Sequence, residues 1–173
     1  MTEVGGSIHR PLRGGSASSP ALVERLRDLP PDRVRDLLGE SEEAGSRIVR
    51  RLVDEWAERT NRFDRPGEAL FGAWMAGRLV GVCGLNIDPY ARDAGVGRVR
   101  HLYVLTSLRR HGVGRQLVMH VIEAARDRFE SLRLRTNNPA AARLYEILGF
   151  RARADAGDYT HVMDLERRPS CAR

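Results

Sequence analysis

The sequence of 173 residues contains no lysine, and all 29 residues of the lysine and arginine class are arginines. The absence of lysine excludes a lysine nucleophile and Schiff-base chemistry. Cysteine is also scarce, with Cys83 in an apolar segment and Cys171 near the end of the chain. Two distant cysteines form neither a disulfide framework nor a metal cluster, and such usage is typical of a reducing compartment. We therefore expect a cytoplasmic protein.

Metal-binding spacings and long apolar runs are missing as well. The five histidines are scattered, with no paired spacing to one another or to cysteine, so we predict no metal site. No apolar run approaches the roughly 18 residues of a transmembrane helix. The N-terminal residues are basic in part but lack the apolar core of a signal peptide. We predict no membrane partner.

Aromatic residues make up only 6% of the chain, although the net charge is +6 and the isoelectric point is about 10.3. A nucleic-acid-binding protein of this charge would be expected to cluster its arginines and to offer rings for base stacking. Here the arginines are spread over every segment. We predict no nucleic-acid partner, and an arginine-rich nucleic-acid binder is the weakest of three functional hypotheses.

The most informative segment is a basic, glycine-containing turn between a predicted strand and a predicted helix. It consists of Arg109, Arg110, His111, Gly112, Val113, Gly114 and Arg115. Glycine lets the backbone approach a ligand closely, and the first amide groups of a helix lack internal acceptors. Together with arginine charges, these amides suit a phosphate group. The spacing is neither a Rossmann fingerprint nor a P-loop, and taken alone it also fits an ordinary strand-to-helix connection.

Hydrophobic periodicity and turn signals predict one α/β domain over residues 19–166, between a disordered tail at 1–18 and a second tail at 167–173. Strands are predicted at 68–75, 78–87, 97–104, 132–136, 150–154 and 159–165, and residues 21–29 are ambiguous between strand and helix. Helices are predicted at 31–39, 46–59, 113–125 and 139–148. The last helix has Asn138 as its predicted N-cap and is predicted to bury Ala141, Leu144 and Leu148.

Two motifs resemble the GNAT superfamily, the Gcn5-related N-acetyltransferases. That family carries Arg/Gln-x-x-Gly-x-Gly/Ala between its fourth strand and third helix, which corresponds here to Arg109, Gly112 and Gly114. The second family motif corresponds to Asn138, Ala141, Leu144, Tyr145, Glu146, Gly149 and Phe150. Arg110 is a departure, because many members have glycine there. The two motifs stand in the family's order, separated by a helix and a strand, which makes the resemblance specific.

The resemblance implies an α/β GNAT fold with a mixed central sheet of about six or seven strands flanked by four helices. The implied element order is βααβββαβαββ, with a strand at residues 21–29 and a splay between strands four and five. Acetyl-CoA is implied as co-substrate, its pyrophosphate on the turn and its pantetheine arm on the freed end of strand four. The implied coenzyme-binding residues are Leu102, Tyr103, Val104, Arg109, Arg110, His111, Gly112, Val113, Gly114, Arg115 and Asn138.

Tyr145 is implied as the general acid that protonates the leaving thiolate, although a tyrosine that only packs beside Leu144 and Leu148 would look the same. The general base is open. Several family members use a glutamate on strand four, and Arg98 occupies that position here, on a strand without any carboxylate. His101 is one alternative, but alternation would place it with Val99 and Tyr103, on the face opposite Leu102.

A water chain to bulk solvent, held by Glu68, Asn86 or Asp88, is the preferred hypothesis for deprotonation of the amine. The expected function is acetylation of a primary amine on a small molecule or a peptide by direct attack. The alternative is a sensor domain that binds acyl-CoA without turnover, which the missing strand-four carboxylate favours and Tyr145 disfavours. The acceptor-facing parts are expected in the early helices and in the loops at 61–67 and 88–95. A homodimer is a candidate assembly.

Overall fold

One mixed β-sheet with helices on both faces organises the computed structural model, which describes residues 21–154 and 157–166. Its strands are β1 Leu22–Leu26, β2 Ala69–Met75, β3 Arg78–Ile87, β4 Val96–Val104, β5 Ser131–Leu134, β6 Arg151–Ala152 and β7 His161–Asp164. Its α-helices are α1 Pro31–Glu43, α2 Ile48–Ala57, α3 Val113–Ala125 and α4 Pro139–Ile147. A short 3₁₀ turn, Thr106–Leu108, joins β4 to the segment before α3.

The strand order across the sheet is β1-β2-β3-β4-β5-β7-β6. All neighbours are antiparallel except β4 and β5, which are parallel and connected through α3. The tight connection between β2 and β3 places both Ala76 and Gly77 at positive φ, as a type I′ hairpin turn requires. The predicted fold class and element order are therefore confirmed, including a strand within residues 21–29.

The sheet opens between β4 and β5. Their parallel pairing joins Val96–Arg98 to Ser131–Arg133, and the remainder of β4 continues to Val104 without a partner on that side. β5 is instead paired along its length with β7. The expected splay between strands four and five is confirmed, and it leaves one flank of the β4 backbone free of ladder hydrogen bonds.

The two faces of the sheet carry different helices. A Cβ atom added at Gly97 would meet Phe129 and Leu132, which follow α3, so this face of β4 packs against the α3 layer. On the other face, Arg100 donates to the Glu55 carboxylate of α2. We refer below to the α3 face and the α2 face. The largest fully buried side chains include Phe129, Leu37, Leu52, Leu70 and Leu117, so both layers share one core cluster with the sheet.

The predicted end of the first helix at Gly39 is wrong, because α1 continues to Glu43. The helix ends where Gly45 adopts a left-handed φ of 69°, and the amides of Ala44 and Gly45 bond back to the last turn. This is the usual chemistry of a glycine beyond a helix C-terminus. Gly39 is tolerated inside the helix at a cost of about 1 kcal/mol relative to alanine.

The predicted bounds of α3 at 113–125 and β3 at 78–87 are confirmed, whereas several other elements are shorter than expected. The helix predicted at 46–59 covers Ile48–Ala57, the strand predicted at 132–136 covers Ser131–Leu134, and the final hairpin keeps only its central residues. Asn138 caps α4 as predicted, since its side chain accepts from the amides of Ala140 and Ala141. The predicted buried face of α4 is confirmed in part, because three of its residues pack half-buried against the core: Ala141, Leu144 and Leu148. Tyr145, which was not predicted for this face, is the most buried residue of the helix.

A β-bulge in β4 corrects the predicted side-chain alternation. His101 has a positive φ of 55°, and the β3–β4 register shifts beside it. His101 and Tyr103 reach the helices of the α2 face, whereas Val99 shares the α3 face with Gly97. The prediction that His101 lies on the same face as Val99 is therefore wrong, because the extra residue of a bulge breaks the two-residue period.

The predicted tails at 1–18 and 167–173 lie outside the described residues, and the domain limits of 19–166 stay a prediction. No helix in the described ranges is long and apolar enough to cross a membrane.

Candidate active site

The turn before α3 presents a set of unbonded backbone amides. Arg110 and Gly112 both have positive φ, 66° and 84°, which reverses the chain so that α3 begins at Val113. Among the described residues, no backbone hydrogen bond uses the amides of 110–115 as donors, and the first bonded amide is that of Gln116. A Cβ atom added at Gly112 would meet nothing within 4 Å. The turn therefore offers open space lined by amide hydrogens, which suits an anion.

Glu40 of α1 binds the segment between β4 and this turn. One of its carboxylate oxygens accepts from the Thr106 amide at 2.8 Å, the Thr106 hydroxyl at 3.0 Å and the Tyr103 hydroxyl at 3.1 Å. Burial opposes ionisation, but the bonds from Thr106 and Tyr103 and the charge of Arg109 lower the pKa of Glu40 below its ordinary value. An ionised carboxylate at neutral pH therefore joins the end of β4 to α1. Sequence analysis missed this residue.

Arg109 is directed toward the protein. Its Nε donates to the Val104 carbonyl at 2.9 Å, and its guanidinium lies 5.3 Å from the centre of the Tyr103 ring. The neighbouring Arg110 and Arg115 are exposed at the mouth of the turn. Of the three arginines predicted to face a phosphate, Arg109 thus also joins the turn to β4, whereas Arg110 and Arg115 are exposed to solvent.

The free flank of β4 follows from strand geometry. The Leu105 amide donates to the Val80 carbonyl of β3, so Leu105 and Tyr103 direct their backbone groups toward β3. Alternation directs the backbone groups of Leu102 and Val104 to the opposite flank, where β5 has diverged. The Val104 carbonyl accepts a hydrogen bond from Arg109. The Val104 amide and both backbone polar groups of Leu102 therefore remain available for a ligand on this flank. Of the three residues predicted to bind pantetheine, Leu102 and Val104 direct backbone groups to the free flank, whereas Tyr103 directs its backbone groups toward β3.

α4 closes the other side of the opening. A Cβ atom added at Gly114 would lie 3.5 Å from Leu144 and 3.7 Å from Val104, so the start of α3, the end of β4 and α4 meet at this point. Asn138 at the N-terminus of α4 uses its side-chain oxygen to cap the helix. The structure thus brings the turn, the β4 flank and α4 together. The side-chain oxygen of Asn138 caps α4 and makes no other hydrogen bond within the described residues.

Tyr145 of α4 is buried, with 5% of its surface exposed. Its ring meets Phe150 edge to face, with centroids 5.5 Å apart, and lies 6.3 Å from the ring of His161. Burial raises the pKa of the Tyr145 phenol well above its ordinary value of 10.0, and the Cys83 thiol adds to the effect. The hydroxyl therefore keeps its proton at every physiological pH, and it makes no hydrogen bond within the described chain.

The side chain at the expected base position is part of a buried ion pair. Arg98 contacts the Asp88 carboxylate at 3.2 Å, donates to the Asp158 carbonyl at 2.7 Å, and stacks on Tyr90 at 4.8 Å from the ring centre. Both charged partners are almost fully buried. Arg98 thus joins the loop after β3 to the loop before β7. The charge of the Asp88 carboxylate is balanced by this arginine.

The remaining candidates for holding a water are also bonded. The Glu68 carboxylate pairs with Arg65 at 2.6 Å and accepts from the Ile87 amide at 3.0 Å. Asn86 exchanges two amide hydrogen bonds with Asn61, at 2.8 and 3.1 Å. These buried polar groups therefore have protein partners, and they form a polar lining under the loops at 61–67 and 88–95.

His101 faces α2 with both ring nitrogens. Its Nδ1 lies 3.2 Å from the Ile48 carbonyl, so this nitrogen carries a hydrogen and donates, and Nε2 lies 3.4 Å from the Glu55 carboxylate. Burial opposes ionisation of Glu55, but His101, Asn61, Arg51 and Arg100 lower its pKa far below the ordinary range. His101 therefore connects β4 to α2 beside the bulge. Sequence analysis did not single out Glu55, the residue that organises this cluster.

Within the described ranges, no group of three or more histidine, cysteine, aspartate or glutamate side chains could hold a metal ion. The sheet opens beside a turn with free amides, and a helix with a buried tyrosine closes the other side of the opening. Free amides at the start of a helix suit an anionic group such as a phosphate.

Comparison with known proteins identifies the family. The family model described as the GNAT acetyltransferase family matches residues 32–150. A solved structure of a proposed acetyltransferase from Exiguobacterium sp. 255-15 is 27% identical, with a TM-score of 0.74 over 83% of this chain and 93% of that chain. The chain belongs to the GNAT family of acetyltransferases.

More distant structures show the same fold. An N-acetyltransferase from Staphylococcus aureus Mu50 is 16% identical, with a TM-score of 0.63 over 86% of this chain and all of that chain, 100%. A GCN5-related N-acetyltransferase from Kribbella flavida is 21% identical, with a TM-score of 0.63 over 83% of this chain and 95% of that chain. The fold is thus retained where little sequence identity is left.

Proposed function

We propose that this protein transfers the acetyl group of acetyl-CoA to a primary amine of a small molecule or a peptide by direct attack. The observation that carries the proposal is the juxtaposition of two unsatisfied backbone regions, the amides of residues 110–115 and the free flank of β4 at Leu102 and Val104. Unpaired backbone groups of this kind are rare without a ligand or water to satisfy them. A pyrophosphate joined to an amide-bearing arm matches both regions.

The residues present fit acetyl-CoA. The turn would hold the pyrophosphate on its amides, with Arg110 and Arg115 neutralising its charge. The Leu102 and Val104 backbone would hold the pantetheine amides. When bound, acetyl-CoA supplies an activated thioester, and the chain's own residues orient it and move the protons.

Tyr145 is the proposed general acid. Because burial keeps its phenol neutral, the hydroxyl can donate a hydrogen to the leaving sulfur of the thioester. The hydroxyl makes no hydrogen bond within the described chain, so it is available for this purpose. Acid catalysis of this kind accelerates a reaction by about 10²-fold or more.

Deprotonation of the acceptor is assigned to water. β4 carries no carboxylate at the cleft, and the nearby polar groups Asp88, Glu68 and Asn86 already have protein partners. We therefore propose a water chain to bulk solvent that removes the ammonium proton. The alternative function, an acyl-CoA sensor without turnover, is favoured by Arg98 at the position of the family's glutamate.

A paired glycine experiment tests coenzyme binding. Gly112→Asp places a negative charge where the pyrophosphate should lie, so calorimetry should show a loss of acetyl-CoA affinity of at least about 100-fold. Gly77→Asp is the matched control, since Gly77 also has positive φ and nothing within 4 Å, but lies in the β2–β3 turn. Equal affinity in the two variants would show that the site is misplaced.

Turnover separates the enzyme from the sensor. Wild-type protein is incubated with acetyl-CoA and a panel of amino acids, amino sugars, polyamines and short peptides, and thiol release is measured. Amine-dependent thiol release supports the transferase. Tight acetyl-CoA binding without thiol release for any amine would support the sensor instead. A homodimer and a cytoplasmic location stay predictions.

A further inference from the structure

A row of arginines crosses the α2 face of the sheet beside the β4–β5 opening. The register places Arg98 of β4 opposite Arg133 of β5, Arg133 opposite Val162 of β7, and Val162 opposite Arg151 of β6. Residues directly opposite one another in a sheet project to the same face. Because Leu132 and Leu134 of β5 are buried on the α3 face, Arg133 belongs to the α2 face with Arg98.

The members of this row differ in how their charge is balanced. Arg98 has the buried Asp88 carboxylate at 3.2 Å, and Arg151 pairs with Asp164. Arg133 has neither an ion pair nor a hydrogen bond within the described chain, and its Nε is fully buried without a partner. Its guanidinium instead lies over the ring of Tyr159, 4.4 Å from the centre.

This arrangement is unfavourable unless something else completes it. A buried donor without an acceptor is destabilising, and more so when the group is charged. The guanidinium has five donors in a planar fork that matches carboxylate and phosphate groups. Stacking on Tyr159 holds the fork in one orientation, so less freedom is lost when an anion binds.

The position of Arg133 connects it to the reaction. Arg98 and Arg133 form the last parallel pair before β4 and β5 diverge. Arg133 therefore stands at the fork of the opening, on the β5 side, while the free flank of β4 lies beyond the fork. α1 packs against β3 and α2 packs against β4, and the side chain of Arg133 on β5 is only half-buried.

We infer that Arg133 binds an anionic group of the acceptor, so that the substrate is an amine that also carries a carboxylate or a phosphate. This inference rests on the proposed acetyl transfer and specifies its substrate class. The acceptor enters from the α2 face, and its anionic group binds the Arg133 guanidinium beside Tyr159. Its amine then reaches the thioester where β4 and β5 diverge. Arg98, which Asp88 already neutralises, shapes the cleft without attracting the anion.

The test compares matched acceptors that differ by one charge. L-amino acids are compared with their amides, and glucosamine 6-phosphate with glucosamine, by thiol release from acetyl-CoA. We expect the anionic member of at least one pair to be preferred, and Arg133→Gln to lower its kcat/KM by roughly 30-fold or more. The neutral member should be unchanged by the substitution. The pair that responds shows whether the anion is a carboxylate or a phosphate.

Two further variants make the result specific. Arg126→Gln removes an arginine of the α3 layer, and it should change neither member of a pair. Arg133→Lys keeps the charge without the planar fork, so it should give an intermediate, anion-selective loss even if the glutamine variant folds poorly. Equal loss for both members, or no loss, would overturn the inference.

Calorimetry separates this inference from the proposed function. Arg133→Gln should bind acetyl-CoA with wild-type affinity, because the pyrophosphate turn lies elsewhere. If the wild type binds acetyl-CoA and acetylates neutral amines as well as anionic ones, the substrate class is wrong and the transferase stands. If no amine is acetylated, the transferase itself fails, and the anion site fails with it.

Discussion

Tyr145 illustrates how burial can prepare a single residue for chemistry. Its ring is fixed by Phe150 and His161, and its phenol stays protonated because the low-dielectric surroundings disfavour the phenolate. A neutral donor with no protein partner differs from an ordinary core tyrosine, whose hydroxyl usually finds an acceptor. Tyr145 thus combines a rigid ring position with a hydroxyl hydrogen that is free to donate.

Replacing Tyr145 with phenylalanine should separate catalysis from packing. The variant keeps the ring and its contacts, so acetyl-CoA affinity should barely change while kcat falls by ~10²-fold or more. Steady-state thiol release and calorimetry measure the two quantities. Wild-type turnover in Tyr145→Phe would assign Tyr145 to packing.

Sequence reasoning at the residue scale succeeded where a local motif existed. The cap at Asn138 and the turn around Gly112 depend on neighbours within a few residues, so their chemistry is visible in the sequence. Glu40 and Glu55 were missed because their partners are distant in the chain, with Thr106 66 residues from Glu40 and Arg100 45 residues from Glu55. On a helix, either glutamate looks like an ordinary solvated side chain.

At the scale of elements, the contact between α2 and β4 fixes the edge of the opening. Glu55 accepts from Arg51 on its own helix and from Arg100 on β4, while His101 reaches the same carboxylate. The bulge at His101 changes the face that the following residues present, so the α2 contact and the free flank of β4 are structurally linked. No sequence pattern indicates a bulge, which explains the wrong face predicted for His101.

The depressed pKa of Glu55 predicts how stability depends on pH. Because this pKa is lower in the folded state than its ordinary value of 4.5, ionised Glu55 stabilises the fold above that pH. The contribution is lost as the pH falls from about 4.5 toward the folded value. Urea unfolding at pH 7, 5, 4 and 3 should therefore show the largest gap between wild type and Glu55→Gln at pH 7.

The gap in unfolding free energy should shrink as the solution becomes more acidic. Glu58→Gln removes an exposed carboxylate just beyond the same helix and should give a small gap at every pH. A constant gap for Glu55→Gln from pH 7 to pH 3 would mean that the residue contributes packing rather than charge.

For the molecule as a whole, the sequence predicted the fold because strong signals agreed. Amphipathic helices, a tight hairpin and two motifs in order left few topologies. Exact limits were less predictable: α1 passes Gly39 because α2 and the sheet bury its inner face, and only Gly45 ends it. The ion pairs that fill the cleft, such as Arg98 with Asp88, depend on three-dimensional packing and could not be predicted.

The arrangement of charges over the whole cleft predicts the pH dependence of turnover. Nearby carboxylates are already paired, so in the proposed mechanism the acceptor loses its proton to water, and the rate should follow the fraction of free amine. For an alkylammonium with a pKa near 10.4, that fraction increases about tenfold per pH unit below this value. At subsaturating acceptor, kcat/KM should therefore keep rising well beyond pH 8.

His101→Asn distinguishes this water relay from a histidine base. Asparagine tolerates the positive φ at this position, and its amide can replace Nδ1 as donor to the Ile48 carbonyl, so the bulge should be retained. In the relay mechanism the variant shows the same continuous rise of kcat/KM with pH as the wild type. A histidine base would instead produce a limb in the wild type near pH ~6.5 that disappears in the variant. Observation of that limb and its loss would make His101 the base, acting across the same β4 backbone that is proposed to hold acetyl-CoA.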